Sequence, residues 1–493
     1  MLRRLMALTL LLSSTAALAG QFGYLPSSTG PEKEFQSLIE SGNYRQALLV
    51  WETSHSASAF SKSPSGVATW AYLLYQNGMP MMAMDKLIQG TDPQKLDPGL
   101  LKVWSTELKN SPLIKRGWVT TRGHWKSIVD NEPVEVRIRH KADIAKAFSR
   151  AGIINADSVN KKAQIWWQIA TQAPLIGDID SALKALKLMR ESGQTLFGAD
   201  LIAMVQGRVL YQKGDLEAAL VSFQQVPKSS TFWVEAVEER AWTHLRQGDF
   251  DKATGDITTA VSPALAQLAG PETYFLANLI AYRVCDYSRI FNTSETFKER
   301  HRARLSDLQE LATKGSNRNI SEIFARFEQS GVGLDAAGAQ VDSLPRTILR
   351  DGQFVKSMET RRELLQEIKR ALSVSETSKS LGATPEFGKL IGDARVVSDR
   401  SKQKAFQRAR VLAQVDLKEY KVILNKMHII EAEVIQRLHM DENLKGQRSK
   451  LSKNDDPDNT LVFPYSKNEV WMDELDNYKA RVKDCPTKKD ASL

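Results

Sequence analysis

Few residues of this chain stand at spacings that do chemistry. His428 and Glu431 lie at i, i+3, one helical turn apart, so an imidazole and a carboxylate would share a helix face. The pair reads as a surface or seam contact in preference to a metal site. Gly331-Val-Gly333 resembles the start of a nucleotide loop, but no strand is predicted before it, so it reads as linker. His-Glu-x-x-His, Gly-x-Ser-x-Gly and the P-loop are all absent from the sequence. The seven histidines are scattered. Cys285 and Cys485 are the two cysteines, too few and too far apart for zinc. In an oxidising compartment an even pair reads as one disulfide. No catalytic residue, metal or cofactor is assigned, and the expectation is a protein without enzymatic activity.

The compartment is read from the N-terminus. Arg3 and Arg4 form a basic region, Leu5 to Leu12 a short apolar run, and Ala17-Leu18-Ala19 a cleavage site before Gly20. Ser13, Ser14 and Thr15 end the run well short of the ~20 apolar residues of a membrane span. Residues 1–19 are therefore expected to be a signal peptide, and the mature protein a soluble, periplasmic one. Losing Arg3 and Arg4 with no acid lowers the formal charge from +9 to +7. This moderately basic balance favours acidic partners such as cell-wall polymers or anionic lipid surfaces, with no recognition motif for nucleic acid. An apolar fraction of 42% and a charged fraction of 25% exclude wholesale disorder.

The elements come from a repeated phrase. Tyr211-Gln-Lys-Gly-Asp-Leu-Glu-Ala-Ala-Leu220 recurs as Leu245-Arg-Gln-Gly-Asp-Phe-Asp-Lys-Ala-Thr254, so Gly214 and Gly248 are 34 positions apart. The same turn occurs at Gly177, and earlier at Gly78 and Gly42. Each glycine can take the left-handed conformation that ends a first helix, and the alanine that follows lets two helices approach closely. A fixed period of this length signals stacked helix-turn-helix units. The pattern resembles the tetratricopeptide repeat family over about residues 30–290, with a gap near 105–160. Gly207 and Ala241 fall on the family's small residue of the first helix, Ala219 and Ala253 on that of the second, and Phe223 on its aromatic. No repeat carries the full pattern, the closing proline is missing or displaced, and Pro80 sits just inside a second helix. The gap holds Val134 to Arg139, which alternates like a strand, and a helical Lys141 to Ala151. A further helix pair is expected over Glu272 to Ile290, with Val284-Cys285-Asp286-Tyr287 in place of the glycine turn.

The second half changes character. Ser330 to Gln340 reads as linker, followed by long helices over Arg350 to Leu372 and about Arg395 to Leu444, joined through Gly382 to Gly392. Phe406, Ala413, Leu417, Tyr420, Leu424, Met427, Val434 and Leu438 form a heptad-like seam that suits an antiparallel hairpin or a dimeric coiled coil. Leu461-Val-Phe-Pro-Tyr465 and Val470 to Tyr478 are too apolar for a free tail and are expected to pack back on the body. The fold class is thus all-α: a tetratricopeptide-like superhelix over 20–300 with a divergent insertion at about 105–160, helix and linker over 301–345, a helical hairpin or coiled coil over 346–452, and a tail over 453–493.

With Cys285-Asp-Tyr287 and Trp471-x-Asp-Glu-Leu475, the chain looks like exported tetratricopeptide proteins of gliding and predatory bacteria, some of which serve in envelope motility complexes. The resemblance implies a non-catalytic periplasmic scaffold that binds envelope proteins through the groove formed by the first helices. On the family pattern, the groove positions are Gln206, Leu210, Tyr211, Val237, Arg240 and His244, although Leu210, Tyr211 and Val237, each taken singly, suit inter-repeat core better. The alternative is binding or processing of murein (peptidoglycan). Glu328-Gln-Ser330 with Gly338-Ala-Gln340 resembles the lytic transglycosylase pattern, in which a catalytic glutamate directly precedes serine; here that adjacency is broken. Cys285 and Cys485 are expected to tie the tail to the end of the array.

Overall fold

A residue that must leave the right-handed helix recurs through the chain and sets its architecture. The computed structural model describes residues 37–55, 59–129, 135–154, 158–266, 268–316, 318–379, 385–440, 475–478 and 480–481. Among them the regular structure is all helical. In chain order, α1 (Tyr44–Val50), α2 (Pro64–Gln76), α3 (Pro80–Gly90) and α4 (Pro98–Asn110) come first. Next are α5 (Lys141–Ile153), α6 (Val159–Gln172), α7 (Ile179–Glu191), α8 (Ala199–Lys213), α9 (Leu216–Gln224), α10 (Trp233–Gln247), α11 (Phe250–Ala260) and α12 (Pro271–Arg283). Longer helices follow: α13 (Tyr287–Lys314), α14 (Arg318–Ser330), α15 (Gly352–Lys379) and α16 (Pro385–Met440). Among the described residues no helix is long and apolar enough to cross a membrane.

The five repeated glycines, Gly42, Gly78, Gly177, Gly214 and Gly248, all have φ between +75° and +89°. At the central pair of turns the next residue closes the motif: Asp215 N–H returns to Leu210 O at 3.0 Å and Asp249 N–H to His244 O at 2.9 Å. The same aspartates then cap the following helix, accepting from Ala218 N and Lys252 N. Two adjacent residues thus end one helix and start the next, which is why Gly-Asp is the part of the phrase that recurs. At the last turn Cys285 takes the left-handed position with φ +57°, and Asp286 caps α13 by accepting from Arg289 N. Without glycine this costs about 1–2 kcal/mol. Pro80 occupies the first position of α3, where its missing N–H leaves no bond unmade.

Packing follows the small residues. Ala182, Ala219 and Ala253 are fully buried. At Gly207 a Cβ would come within 2.4 Å of the Phe223 ring, so only glycine lets α8 meet that side chain.

The strand-like reading of Val134 to Arg139 is corrected. Residues 135–138 have no regular structure and pair with no strand among the described residues. Two glutamine amides one turn apart on α6 stand in for one: Gln168 Oε1 accepts from Val136 N, while Gln172 accepts from Ile138 N and donates to Val136 O. The alternation was genuine, but side chains satisfy the backbone.

The chain divides into two compact units, each gathered from separate stretches. Among the described residues, one gathers those within 1–132, 311–340 and 347–412; the other gathers those within 133–310, 341–346 and 413–493. In the first, α1–α4 share an apolar core with Leu364, Ile368 and Ala371 of α15 and Phe387, Ile391 and Ala394 of α16. There α15 and the start of α16 are antiparallel: Arg408 holds Asp351, while Arg361 donates to Ser398 and Asp399. The expected joining stretch is already helical from Pro385. In the second unit, Ile430, Val434 and Leu438 pack against Ala281, Tyr287 and Ile290. The late part of the seam is therefore covered by the last helix pair of its own chain. Residues 1–19, 441–474 and 482–493, including Cys485, lie outside the described residues.

Candidate functional site

The residues singled out on α8 and α10 do not all face one open groove. Gln206 is half-buried and accepts from the Arg190 guanidinium. Tyr211 lies under the Arg246 guanidinium, 4.9 Å from its ring centre. Leu210 and Val237 are buried in one apolar cluster with Phe223, Trp233 and, from the distant end of the chain, Leu475. Their placement matches the inter-repeat core reading. Arg240 and His244 are buried too and offer no exposed surface to a partner.

Arg240 is the centre of what the second unit does assemble. Its guanidinium donates to Asp256 on α11 and to Asp476. Burial alone would lower the Arg240 pKa, but the two carboxylates hold it above its ordinary value. Burial raises the Asp256 pKa, against the pull of Arg240. Burial likewise lowers that of His244, whose Nε2 lies 3.9 Å from Asp256. One buried cation therefore serves two acids, one from the repeats and one from a segment 236 residues later.

That segment is a turn at Leu475 and Asp476, held by side chains and backbone together. Leu475 is 1% exposed, inserted among residues of α8–α11. Lys228 Nζ donates to its carbonyl at 2.6 Å. The Asp476 N–H donates to Thr259 Oγ1 at 3.2 Å. Asp476 has φ +82°, a left-handed conformation held by its partners. The Tyr478 carbonyl lies so close to α11 that a Cβ at Gly255 would be 2.5 Å from its oxygen. An apolar anchor, a charge-assisted pair and main-chain bonds are the ingredients of linear-segment recognition.

Sequence reasoning missed Asp256, Thr259, Gly255 and Lys228. A signal existed for one of them: Asp256 is an acid three places after Ala253 on the buried face of a second helix, where it demands a partner.

The other candidates are placed as follows. Glu328 accepts from Arg361 Nε at 2.6 Å, with Lys402 at 3.8 Å, and Gln340 accepts from Arg326. Gly331 ends α14, and the Val332 N–H is bonded to Glu359. His428 is exposed, whereas Glu431 pairs with Lys298 at 3.7 Å. Among the described residues no group of three or more His, Cys, Asp or Glu is placed to hold a metal ion. No family model matches the chain, and no curated protein or solved structure matches it.

Proposed function

We propose that the chain is a non-catalytic scaffold of the tetratricopeptide type, exported to the periplasm, that captures short linear segments of envelope proteins on its repeats. The observation that supports this reading is the seat of Leu475 and Asp476 around Arg240. The occupant there belongs to the same chain, so the recognised feature is a bulky aliphatic residue followed by aspartate. A partner segment with that step would compete for the seat, and the fraction of chains with a vacated seat sets its apparent affinity. Export rests on Arg3, Arg4, Leu5 to Leu12 and Ala17-Leu18-Ala19. A Cys285–Cys485 bridge is proposed to hold the tail near its seat; alkylation of both thiols in unreduced protein would rule it out.

The test uses the full chain carrying Asp476→Arg, which places a cation against Arg240 and unhooks the tail. A labelled peptide with the sequence of residues 470–481 is then titrated into this variant and into wild type. Binding to the variant at least ~10-fold tighter than to wild type is expected, because the wild-type tail competes in cis. Equal, weak binding to both proteins would show that the seat is a structural contact and not a recognition site.

A further inference from the structure

The first unit holds a groove of about 1270 Å³, a volume well above that of a pocket for one small metabolite. Its walls are helix faces. Along α16 the lining includes Lys389, Asp393, Val397, Arg400, Lys404 and Val411, spaced three, four or seven apart and so on one side of the helix. From Lys389 to Val411 this stripe runs ~33 Å at 1.5 Å per residue. Opposite it, α15 contributes Gln353, Ser357, Thr360 and Leu364 at the same spacing. The floor includes Met81, Met82 and Ile88 of α3.

Charge and polarity describe the occupant. Eight lining side chains are cationic and two are acidic, so the groove carries a strong positive excess. Lys62, Lys356, Lys389, Arg400 and Lys404 have no carboxylate partner among the described residues. A cleft with one sign of charge and low-dielectric walls concentrates its field and attracts the opposite sign. Charge alone would suit any polyanion. Apolar side chains narrow the choice: Val397 and Val411 are 39% and 45% exposed, and Met81, Met82, Ile88 and Leu364 reach the same space. An anionic glycan or a nucleic acid backbone brings no aliphatic side chains to cover them. A helix with an apolar stripe flanked by acids does, and parallel ridges at i, i+3/i+4 spacing are the surface such a helix fits.

We propose that this groove is a docking site for an acidic amphipathic helix of a protein partner. It uses neither Arg240 nor the seat of Leu475. Asp476→Arg leaves it unchanged, so this proposal and the repeat-surface reading fail separately.

The probe is a labelled peptide of about 20 residues with leucines at i, i+3/i+4 spacing and glutamates on both flanks, titrated into the full chain. Polyglutamate of equal charge and heparin serve as polyanions without an apolar stripe. The amphipathic helix is expected to bind in the micromolar range, with polyglutamate and heparin at least ~10-fold weaker. Arg400→Glu combined with Lys404→Glu weakens it by at least ~10-fold, and Val397→Asp does so too. All three side chains are exposed, so an unchanged melting temperature and helical circular dichroism signal accompany the loss. Failure of the helical peptide to bind overturns the proposal. So does heparin or polyglutamate binding as tightly with Val397→Asp silent, which would make the groove a general polyanion surface.

Discussion

Raising the pH should loosen the seat of α3 in the native chain and leave it unaltered once Glu367 is replaced by glutamine. Glu367, on α15, is 1% exposed, and its two oxygens accept from Met81 N at 2.8 Å and Met82 N at 2.9 Å, the unpaired donors at the start of α3. Burial pushes its pKa from 4.5 up to about 7, although both amide bonds and nearby Arg370 pull the other way. Between those two values the folded chain keeps a proton that the unfolded chain has released. The stabilisation present below the lower value is therefore lost as pH rises through the upper one. Integrated over the interval, the loss is on the order of 3 kcal/mol. Glu367→Gln retains one acceptor and leaves one amide without its bond, a penalty of about 1–3 kcal/mol that does not depend on pH. Wild type should therefore be clearly better protected at about pH 5, and its advantage should shrink or vanish by about pH 8. Hydrogen exchange of peptides covering Pro80–Gly90, corrected for intrinsic exchange chemistry, reads this directly. If the wild-type advantage instead grows with pH, the helix N-terminus outweighs burial and the reasoning is wrong.

Three further outcomes are expected. Gly207→Ala gains up to ~1 kcal/mol of helix propensity but drives a methyl into the Phe223 ring, which costs about 1–3 kcal/mol, so the melting temperature falls. Phe223→Leu in the same chain restores part of that loss if the contact is the cause. Gly248→Val forces a β-branched residue to φ +81° and destabilises by about 1–2 kcal/mol or more, while Gly248→Asn loses much less; denaturant titration separates them. Burial, reinforced by Arg304 and Arg300, pushes the His301 pKa down to about 3, and the ring meets the Tyr420 hydroxyl and packs against Phe297 and Tyr274. The unfolded chain takes up a proton there that the folded chain refuses. Stability should thus fall by up to about 1.4 kcal/mol per pH unit below about 6.5, and His301→Phe should remove that component from the acid dependence.

Local motifs were legible because their causes are local. The Gly-Asp turns and the replacement of glycine by Cys285 depend only on neighbours within one or two turns, and the small residue at Gly207 answers Phe223 on the very next helix. The helical class followed from the same period. The alternating Val134 to Arg139 stretch misled because the glutamines that bond its backbone lie over thirty positions away.

The candidate site was half legible for the same reason. Arg240, Leu210 and Val237 could be named from their repeat positions, but Asp476 arrives across 236 residues, and no local pattern encodes which cation it meets. The long helices carry the same division. Their seam was written in the sequence, yet whether Val434 and Leu438 would face α15, a second chain or the last repeat pair depended on which apolar surfaces remained to be covered. The basic groove was invisible because its wall residues come from separate stretches of chain, each an ordinary solvated helix face by itself. The sequence alone therefore determined the helices, their turns and the charge of the chain, since these depend on short-range sterics and composition. Only the tertiary structure decided which faces meet, because apolar burial is non-directional and selects partners by shape and availability over the whole molecule.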